Sequence, residues 1–179
     1  MKDIIQIDNN ISLTKSSRAD KLSLIRCLND KDVSDTLLRI PFPYHDTDAD
    51  AWYNYILTYE AENNIQKNWV IRNKTGELIG SIGLHYPYGL DADKNEIYYW
   101  LARPFWNKGI MTTVIKHFSD FCFDHLKYVR LEAPIFDFNI ASEIVLKKNG
   151  FKLEATIPNH YQKADKFINA KMYIKTGGH

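Results

Sequence analysis

The sequence predicts a mixed α/β fold in which a largely open, mixed β-sheet is covered by helices on both faces. The first observation is that strand-like and helix-like segments interleave along the chain, in the order β-α-α-β-β-β-α-β-α-β-β. The second is size: 179 residues, 45% hydrophobic and 25% charged, suffice for one globular core. The third is that no repeat or linker interrupts the pattern. We therefore expect a single domain over residues 1–179.

Composition narrows the class of protein. The formal net charge of +1 argues against a broad surface for nucleic acid. Cys27 and Cys122 both fall on apolar positions of predicted helices, which is typical of a reduced, intracellular protein, and we expect Cys122 to be core packing. No apolar run approaches membrane-spanning length, and the first ten residues lack the features of a signal peptide. We expect a cytoplasmic protein with no membrane contact. A nuclear location is also compatible with these features.

The first third of the chain predicts one strand and two helices. Residues 10–17 form the strand, and Ser17 can cap a helix that runs to about Asn29. After a loop rich in proline and aromatic residues, a second helix runs to about Asn63, capped by Asp46 or Thr47. The predicted buried stripe of this second helix consists of Trp52, Ile56 and Tyr59.

The middle of the chain predicts a hairpin, a strand and a helix. Residues 68–86 contain two apolar runs joined by an Asn-Lys-Thr-Gly turn, which is typical of a β-hairpin. A loop over 87–95 leads to a strand at 96–102, rich in aromatic residues. An apolar helical stripe then starts just after Gly109. It consists of Ile110, Met111, Val114, Ile115, Phe118, Phe121 and Cys122.

The last third predicts one helix among three strands. The strand at 128–136 alternates in polarity, and Asn139 opens the helix. The pair Asn149-Gly150 is typical of a left-handed C-terminal cap. Residues 151–157 and 167–176 supply the two final strands.

Gly109 lies at a strand-to-helix corner, where several backbone N–H groups and the positive end of a helix dipole favour a phosphate. A P-loop would need Gly-Lys followed by Ser or Thr, whereas Lys108 precedes the glycine and Ile110 follows it. A dinucleotide-binding fold would need three spaced glycines. The sequence also lacks a Gly-x-Ser-x-Gly elbow and metal-ligand spacing of His or Cys, so no metal is expected.

Two longer motifs carry a family resemblance. "YYWLARPFWNKGIMTTVIKHF" and, further on, "NIASEIVLKKNGF" together resemble the GNAT superfamily of N-acetyltransferases, in the branch that contains RimJ and RimL. The resemblance implies the GNAT fold, a mostly antiparallel mixed sheet with one splayed parallel strand pair. The chain departs from the branch at three positions: Asn107 and Tyr98 replace glycines, and Thr113 replaces a glutamate.

The resemblance also implies an activity. It is the transfer of the acetyl group of acetyl-CoA, the cosubstrate, to a primary amine by direct attack. The amine would belong to a protein N-terminus or to a small molecule, and the protein would be a monomer or a homodimer. The alternative is a non-catalytic CoA-binding sensor or scaffold.

The resemblance implies contacts with each part of acetyl-CoA. Leu101 and nearby backbone groups would pair with the pantetheine arm, which Asn139 would also reach. A side chain at position 109 would occupy the space of the phosphate. The predicted cofactor-binding residues are Leu101, Asn107, Lys108, Gly109, Ile110, Met111, Thr112, Asn139 and Ser142.

Two catalytic residues follow from the same resemblance. Glu96 is the candidate base that takes the proton from the substrate ammonium, with Glu132 and Glu154 as weaker alternatives. Many relatives carry a tyrosine that acts as the general acid at the position where this chain has Leu146. The departing thiolate would then take its proton from Ser142, directly or through water, or from a tyrosine elsewhere.

Overall fold

The computed structural model describes residues 4–85 and 93–177, so most of the predicted loop at 87–95 lies outside the described residues. The chain divides into two compact units. Unit 1 comprises the described residues within Met1–Pro87 together with Tyr98–Ile110. Unit 2 comprises the described residues within Tyr88–Ile97 together with Met111–His179. The expectation of a single domain stays a prediction.

The strands of unit 1 are antiparallel neighbours in the order β1-β2-β3-β4. The second half of a fifth strand, β5, lies beside β4, and the Ala102 N–H that follows it donates to the Ile79 carbonyl over 2.8 Å. A three-residue β1 was not predicted, because it is too short for an alternating pattern to show. The bounds are Ile4–Gln6, Ser12–Thr14, Asn68–Arg72 and Leu78–Leu84 for β1 to β4, and Lys94–Leu101 for β5.

Three helices belong to unit 1, namely α1 (Lys21–Leu28), α2 (Lys31–Asp35) and α3 (Asp46–Asn63). Sequence patterning missed α2, since a five-residue helix shows no periodicity. The predicted cap of α3 is wrong. Asp46 is already helical, and the capping position is His45, whose backbone N–H donates to Asp48 Oδ2 over 2.7 Å.

The buried stripe of α3 is also corrected. Ile56 is buried as predicted, but its buried partners are Ala49 and Tyr53, whereas Trp52 and Tyr59 stay partly exposed. Both sets of residues are spaced for one helical face. Ala49 and Tyr53 are buried because they pack against Leu24 and Leu28 of α1 and against Val70 and Leu78.

Unit 2 contains the only parallel pairing among the described strands. The first half of β5 pairs in parallel with β6, and the strand order in this unit is β5-β6-β8-β7 with antiparallel pairing elsewhere. The predicted mixed sheet with one parallel pair is therefore confirmed. The bounds are Arg130–Phe136 for β6, Lys152–Lys163 for β7 and Lys166–Thr176 for β8.

The helices α4 (Ile110–Asp124) and α5 (Ile140–Lys148) begin close to their predicted residues. The stripe of α4 is largely confirmed, and Cys122 is fully buried in it. The left-handed end of α5 is also confirmed, with φ of 79° at Gly150. Within residues 4–85 and 93–177, no helix is long and apolar enough to cross a membrane.

Candidate active site

The parallel pairing of β5 with β6 positions the candidate base. The paired residues are Lys94↔Arg130, Asn95↔Leu131 and Glu96↔Glu132. Because side chains alternate along a strand, Glu96 and Glu132 lie opposite each other on one face of the sheet. Glu96 is half-buried at this point. The two glutamates therefore form a directly opposed pair between β5 and β6.

Arg130 organises the charged side chains around this position. Its Nε donates to Glu132 Oε1 over 2.8 Å, and its two terminal nitrogens donate to Glu154 over 2.9 and 2.5 Å. Lys94 Nζ lies 3.4 Å from the same Glu132 oxygen. We call Lys94, Arg130, Glu132 and Glu154 the Arg130 network.

The Arg130 network bears on the alternative bases. Its hydrogen bonds, first to Glu154 and then to Glu132, raise the pKa of Arg130. The same guanidinium lowers the pKa of Glu154 below its ordinary value. A carboxylate stabilised in this way is a poorer proton acceptor. Pairing with Arg130 therefore makes Glu154 less suited to the role of base.

In unit 1, Tyr98 of β5 fills space that a glycine leaves on the neighbouring strand. Its hydroxyl donates to Asn68 Oδ1 over 3.0 Å. A Cβ at Gly83 of β4 would lie 2.4 Å from that hydroxyl oxygen and 2.6 Å from the Lys67 carbonyl, too close for any side chain. Gly83 on β4 thus makes room for the Tyr98 ring. Burial raises the pKa of Tyr98.

Asn68 is the centre of a neutral network around Tyr98. The Asn68 side chain is fully buried, donates to Ser16 Oγ over 2.7 Å and accepts from Ser81 Oγ over 2.7 Å. Its backbone N–H donates to Glu60 over 3.1 Å. We call Ser16, Asn68, Ser81 and Tyr98 the Asn68 network.

The end of β5 is tied to the turn that follows it. Leu101 is buried, and its carbonyl accepts a hydrogen bond from Trp106 Nε1 over 2.6 Å. A short 3₁₀ turn, Arg103–Phe105, lies between them. Trp106 was not predicted as a site residue, although it stands in the quoted motif. The hydrogen bond of its indole holds the chain next to the end of β5, immediately before residues 107–109.

Asn107 and Gly109 both adopt left-handed backbone conformations, with φ of 58° and 74°. Asn107, Lys108 and Gly109 are exposed. Asparagine tolerates the left-handed region better than most residues, which is consistent with its replacing the glycine of related sequences. A Cβ at Gly109 would meet no protein atom within 4 Å. The protein itself therefore requires glycine for its φ angle, and not for lack of space.

The first turn of α4 is held by α5 within unit 2. The Thr112 carbonyl accepts a hydrogen bond from Asn149 Nδ2 over 3.1 Å, and Met111 is buried. Asn149 is the residue that ends α5. Sequence patterning identified Asn149 only as part of a cap, because nothing local shows that its side chain reaches another helix.

The start of α5 is capped as predicted. Asn139 Oδ1 accepts from the Ser142 backbone N–H over 3.1 Å, and Ser142 is half-buried. Leu146 is fully buried. The position at which the resemblance implies a general-acid tyrosine is therefore part of the hydrophobic core in this protein. Tyr173 of β8 is also fully buried, and its pKa is raised by burial and by Glu143.

The predicted site residues are thus distributed between the two units. Unit 1 contains Leu101, Asn107, Lys108, Gly109 and Ile110, and unit 2 contains Glu96, Met111, Thr112, Asn139 and Ser142. Ile110 and Met111 are consecutive residues of α4. Among residues 4–85 and 93–177, no group of three or more His, Cys, Asp or Glu side chains could hold a metal ion.

Comparison with known sequences identifies the family. The profile of the acetyltransferase (GNAT) domain matches residues 10–152, and the chain belongs to this family. One curated relative is the uncharacterized N-acetyltransferase YoaA of Bacillus subtilis (strain 168), 33% identical over 100 residues. That alignment covers 55% of each protein, so the matched part spans about half the length of this curated relative.

Solved structures agree with the family at the level of fold. RimL, a ribosomal L7/L12 alpha-N-protein acetyltransferase in complex with coenzyme A, superposes with a TM-score of 0.84 at 18% identity over 97% of both chains. Spermidine N-acetyltransferase from Vibrio cholerae, in complex with CoA and spermine, gives 0.78 at 16% identity over 94% of this chain and 96% of that one. The predicted GNAT fold is confirmed, and RimL is among the structures that share it.

Proposed function

We propose that this protein is an acetyl-CoA-dependent N-acetyltransferase that transfers the acetyl group to a primary amine by direct attack. The observation that carries the proposal is the left-handed turn of Asn107 and Gly109 at the start of α4, in a chain of the GNAT family. This turn directs backbone N–H groups and the positive end of the α4 dipole to one side, where an anion is stabilised.

In this proposal the turn and the first turn of α4 bind the pyrophosphate. The N–H groups of residues 107–112 supply charge-assisted hydrogen bonds, which are stronger than neutral ones. The pantetheine arm pairs with the end of β5 at Leu101. The Leu101 carbonyl accepts from Trp106, which fixes the end of β5 where the arm would pair. Asn139 reaches the same arm from the start of α5.

Glu96 is the proposed general base. The substrate amine arrives as an ammonium and must lose a proton before it attacks the thioester carbonyl. Glu96 is half-buried on β5, directly opposite Glu132 of β6.

Ser142 is the proposed proton donor to the departing thiolate, directly or through water. Ser142→Ala should lower turnover far more than acetyl-CoA affinity, because the interaction strengthens once the sulfur gains negative charge. Turnover should be measured with thioesters whose thiols differ in acidity. A more acidic thiol needs less help, so the penalty should shrink along the series. A constant penalty would assign the proton to a tyrosine or a bound water.

For the acceptor amine we propose two classes of substrate. The names of the two structural relatives described above give a protein N-terminus and spermidine as substrates, and both of these carry primary amino groups. We propose the same two classes of partner here, a protein N-terminal peptide or a small amine, with the protein a monomer or a homodimer. Neither cysteine forms a disulfide, which supports the proposed cytoplasmic location.

The test combines activity and binding. Release of CoA thiol from acetyl-CoA should be measured against a panel of N-terminal peptides and small amines. Binding without transfer to any of them would favour a CoA-binding sensor or scaffold. Calorimetry should show that Gly109→Val abolishes acetyl-CoA binding, because a branched side chain both strains φ of 74° and enters the proposed phosphate space.

Gly76 provides a matched control for Gly109. It also has a positive φ, 81°, and open space at its Cβ, but it lies in the β3–β4 hairpin. Gly76→Val should therefore carry a similar conformational penalty and still bind acetyl-CoA. Unchanged affinity in a folded Gly109→Val protein would remove the turn from the proposed site.

A further inference from the structure

Lys67 is a buried lysine of unit 1, only 5% exposed. Its Nζ donates to the Tyr55 hydroxyl and to the His85 carbonyl, each over 3.2 Å. The same nitrogen lies 5.3 Å from the centre of the Tyr55 ring and 4.5 Å from that of Tyr59. Within the part of the chain that the structure describes, Lys67 forms no ion pair. We call Lys67, Tyr55 and Tyr59 the Lys67 site.

Glu60 is a carboxylate that contacts Lys67, but it does so through the backbone. Its Oε1 accepts from the N–H groups of Lys67 and Asn68 over 3.0 and 3.1 Å. Burial raises the pKa of Glu60, and the two backbone hydrogen bonds and the charges of Lys15 and Lys67 oppose this shift only in part. The ammonium of Lys67 is therefore hydrogen-bonded to neutral oxygen atoms only.

Neutral partners compensate a buried charge poorly. A hydrogen bond from an ammonium to a carboxylate is typically about 2.7 to 2.9 Å long, and both hydrogen bonds of Lys67 are longer. Burying an ammonium without a counter-ion is costly. Arg39 is a second cation nearby, since burial and the charges of Lys67 and Arg39 lower the pKa of His85. Arg39 is exposed and likewise forms no ion pair with a described residue, so both cations favour an anion here.

The Lys67 site lies beside the part of β5 that belongs to unit 1. Tyr98 of β5 donates to Asn68, the residue that follows Lys67, over 3.0 Å. In the proposed function the phosphates lie at the turn of Gly109, and the pantetheine arm pairs with β5 at Leu101. Tyr98 precedes Leu101 by three residues, or about 10 Å of strand. The thioester end of the arm therefore lies toward Tyr98, and the acceptor amine must reach that end.

We propose that Lys67 binds a carboxylate of the acceptor, so that the substrate is an amine that also carries a carboxylate group. This inference rests on the proposed function. The carboxylate replaces the Tyr55 hydroxyl as the partner of the ammonium. Tyr55 is 58% exposed on α3, so its side chain can move aside without disturbing the core. Two sources of such a carboxylate are a free amino acid and an acidic side chain near a protein N-terminus.

The direct test compares acceptors in matched pairs that differ only in the carboxylate. One series pairs amino acids with their carboxamides, and the other pairs C-terminally amidated peptides with Asp or Asn at the second position. Calorimetry measures binding to the CoA-loaded protein, and CoA thiol release measures transfer. In one of the series the carboxylate member should have the lower Kd and the higher kcat/KM by about tenfold, which identifies the source. Equal values in both series would overturn the inference.

Lys67→Met keeps an unbranched side chain among the tyrosines and removes the charge. The preference for the carboxylate, measured as the ratio of kcat/KM within a pair, should be lost, mainly through KM. Lys67→Arg retains the charge and should restore most of the preference. Lys175→Met is the matched control, because Lys175 Nζ also lies over two rings, those of Phe123 and Phe151 at 5.6 and 5.9 Å. A preference that persists in folded Lys67→Met, or that is lost equally in Lys175→Met, would overturn the inference.

Tyr55→Phe tests the inference even if Lys67→Met does not fold. It leaves the ammonium in place and removes the neutral hydroxyl with which a carboxylate competes. The Kd of the carboxylate member should therefore stay the same or fall. A rise in this Kd would contradict the inference.

Binding and transfer together separate this inference from the proposed function. If carboxylate members bind with an affinity that depends on Lys67 but none is acetylated, the carboxylate site stands and the proposed transfer is wrong. If amines are acetylated without preference for a carboxylate, the proposed function stands and the role given to Lys67 is wrong.

Discussion

The Asn68 network and the Arg130 network both include residues of β5, yet they differ in charge and burial. The Asn68 network is neutral, and Asn68 itself is fully buried. The Arg130 network is charged and remains in contact with solvent, with 26% of the Arg130 side chain and 43% of the Glu154 side chain exposed. Tyr98 belongs to the first network and Lys94 to the second.

The difference separates stability from reactivity. A buried amide that loses its partners leaves polar atoms without hydrogen bonds in a medium that cannot replace them. An exposed ion pair contributes little to stability, since water and salt replace it. The Arg130 network can therefore lose a partner at small cost in stability. We expect mutations in the Asn68 network to destabilise the protein and mutation of Glu96 to inactivate it.

The largest expected effect tests the reactive side of this comparison. Glu96→Gln should lower turnover at neutral pH about 10²-fold, which corresponds to about 2.7 kcal/mol in activation free energy, with little change in acetyl-CoA affinity or melting temperature. Steady-state kinetics and calorimetry measure both quantities. Turnover within about threefold of wild type would make Glu96 a structural charge.

The next effect tests the buried side. Asn68→Ala should lower the free energy of unfolding by about 2 kcal/mol, because Ser16, Ser81 and Tyr98 lose their shared partner. Tyr98→Phe removes a single hydroxyl and should cost about 1 kcal/mol. Denaturant titration provides both values. The comparison would fail if turnover per folded molecule dropped as steeply as in Glu96→Gln.

The smallest effect concerns the pH dependence of the exposed ion pair. Arg130 lowers the pKa of Glu154 in the folded protein, so the pair contributes stability above the unfolded pKa, about 4.3, and loses it as pH falls through the folded value. Wild type should be slightly more stable than Glu154→Gln at pH 7 and equal to it in strong acid. Calorimetry at both pH values checks this. A difference that persisted in strong acid, or was insensitive to salt, would contradict an ionic origin.

Long elements with clear periodicity were predicted from the sequence. The stripe of α4 and the strand β6 were identified because a period of 3.6 or 2 repeats over enough residues to be seen. The short β1 and α2 were missed for the opposite reason. The cap of α3 was misplaced because Asp46, Thr47 and Asp48 are all residue types that suit the N-terminus of a helix. Only the hydrogen bond from the His45 backbone N–H to Asp48 shows that the helix begins after His45.

The candidate site divides in the same way. Gly109 and Asn139 were identified from local patterns, since a left-handed turn and a helix cap each select residue types within a few positions. Trp106 and Asn149 were not, because their hydrogen bonds to Leu101 and Thr112 depend on how separate elements meet.

The sequence by itself determined the family, the order of the longer elements and the turn at Gly109, because motifs and backbone preferences act over short stretches of chain. Only the tertiary structure decided the surroundings of each carboxylate. Strand register sets Glu96 opposite Glu132, and Arg130 reaches across β8 to Glu154. Register and reach involve residues distant in sequence, and charge acts through space, so no local pattern could specify them.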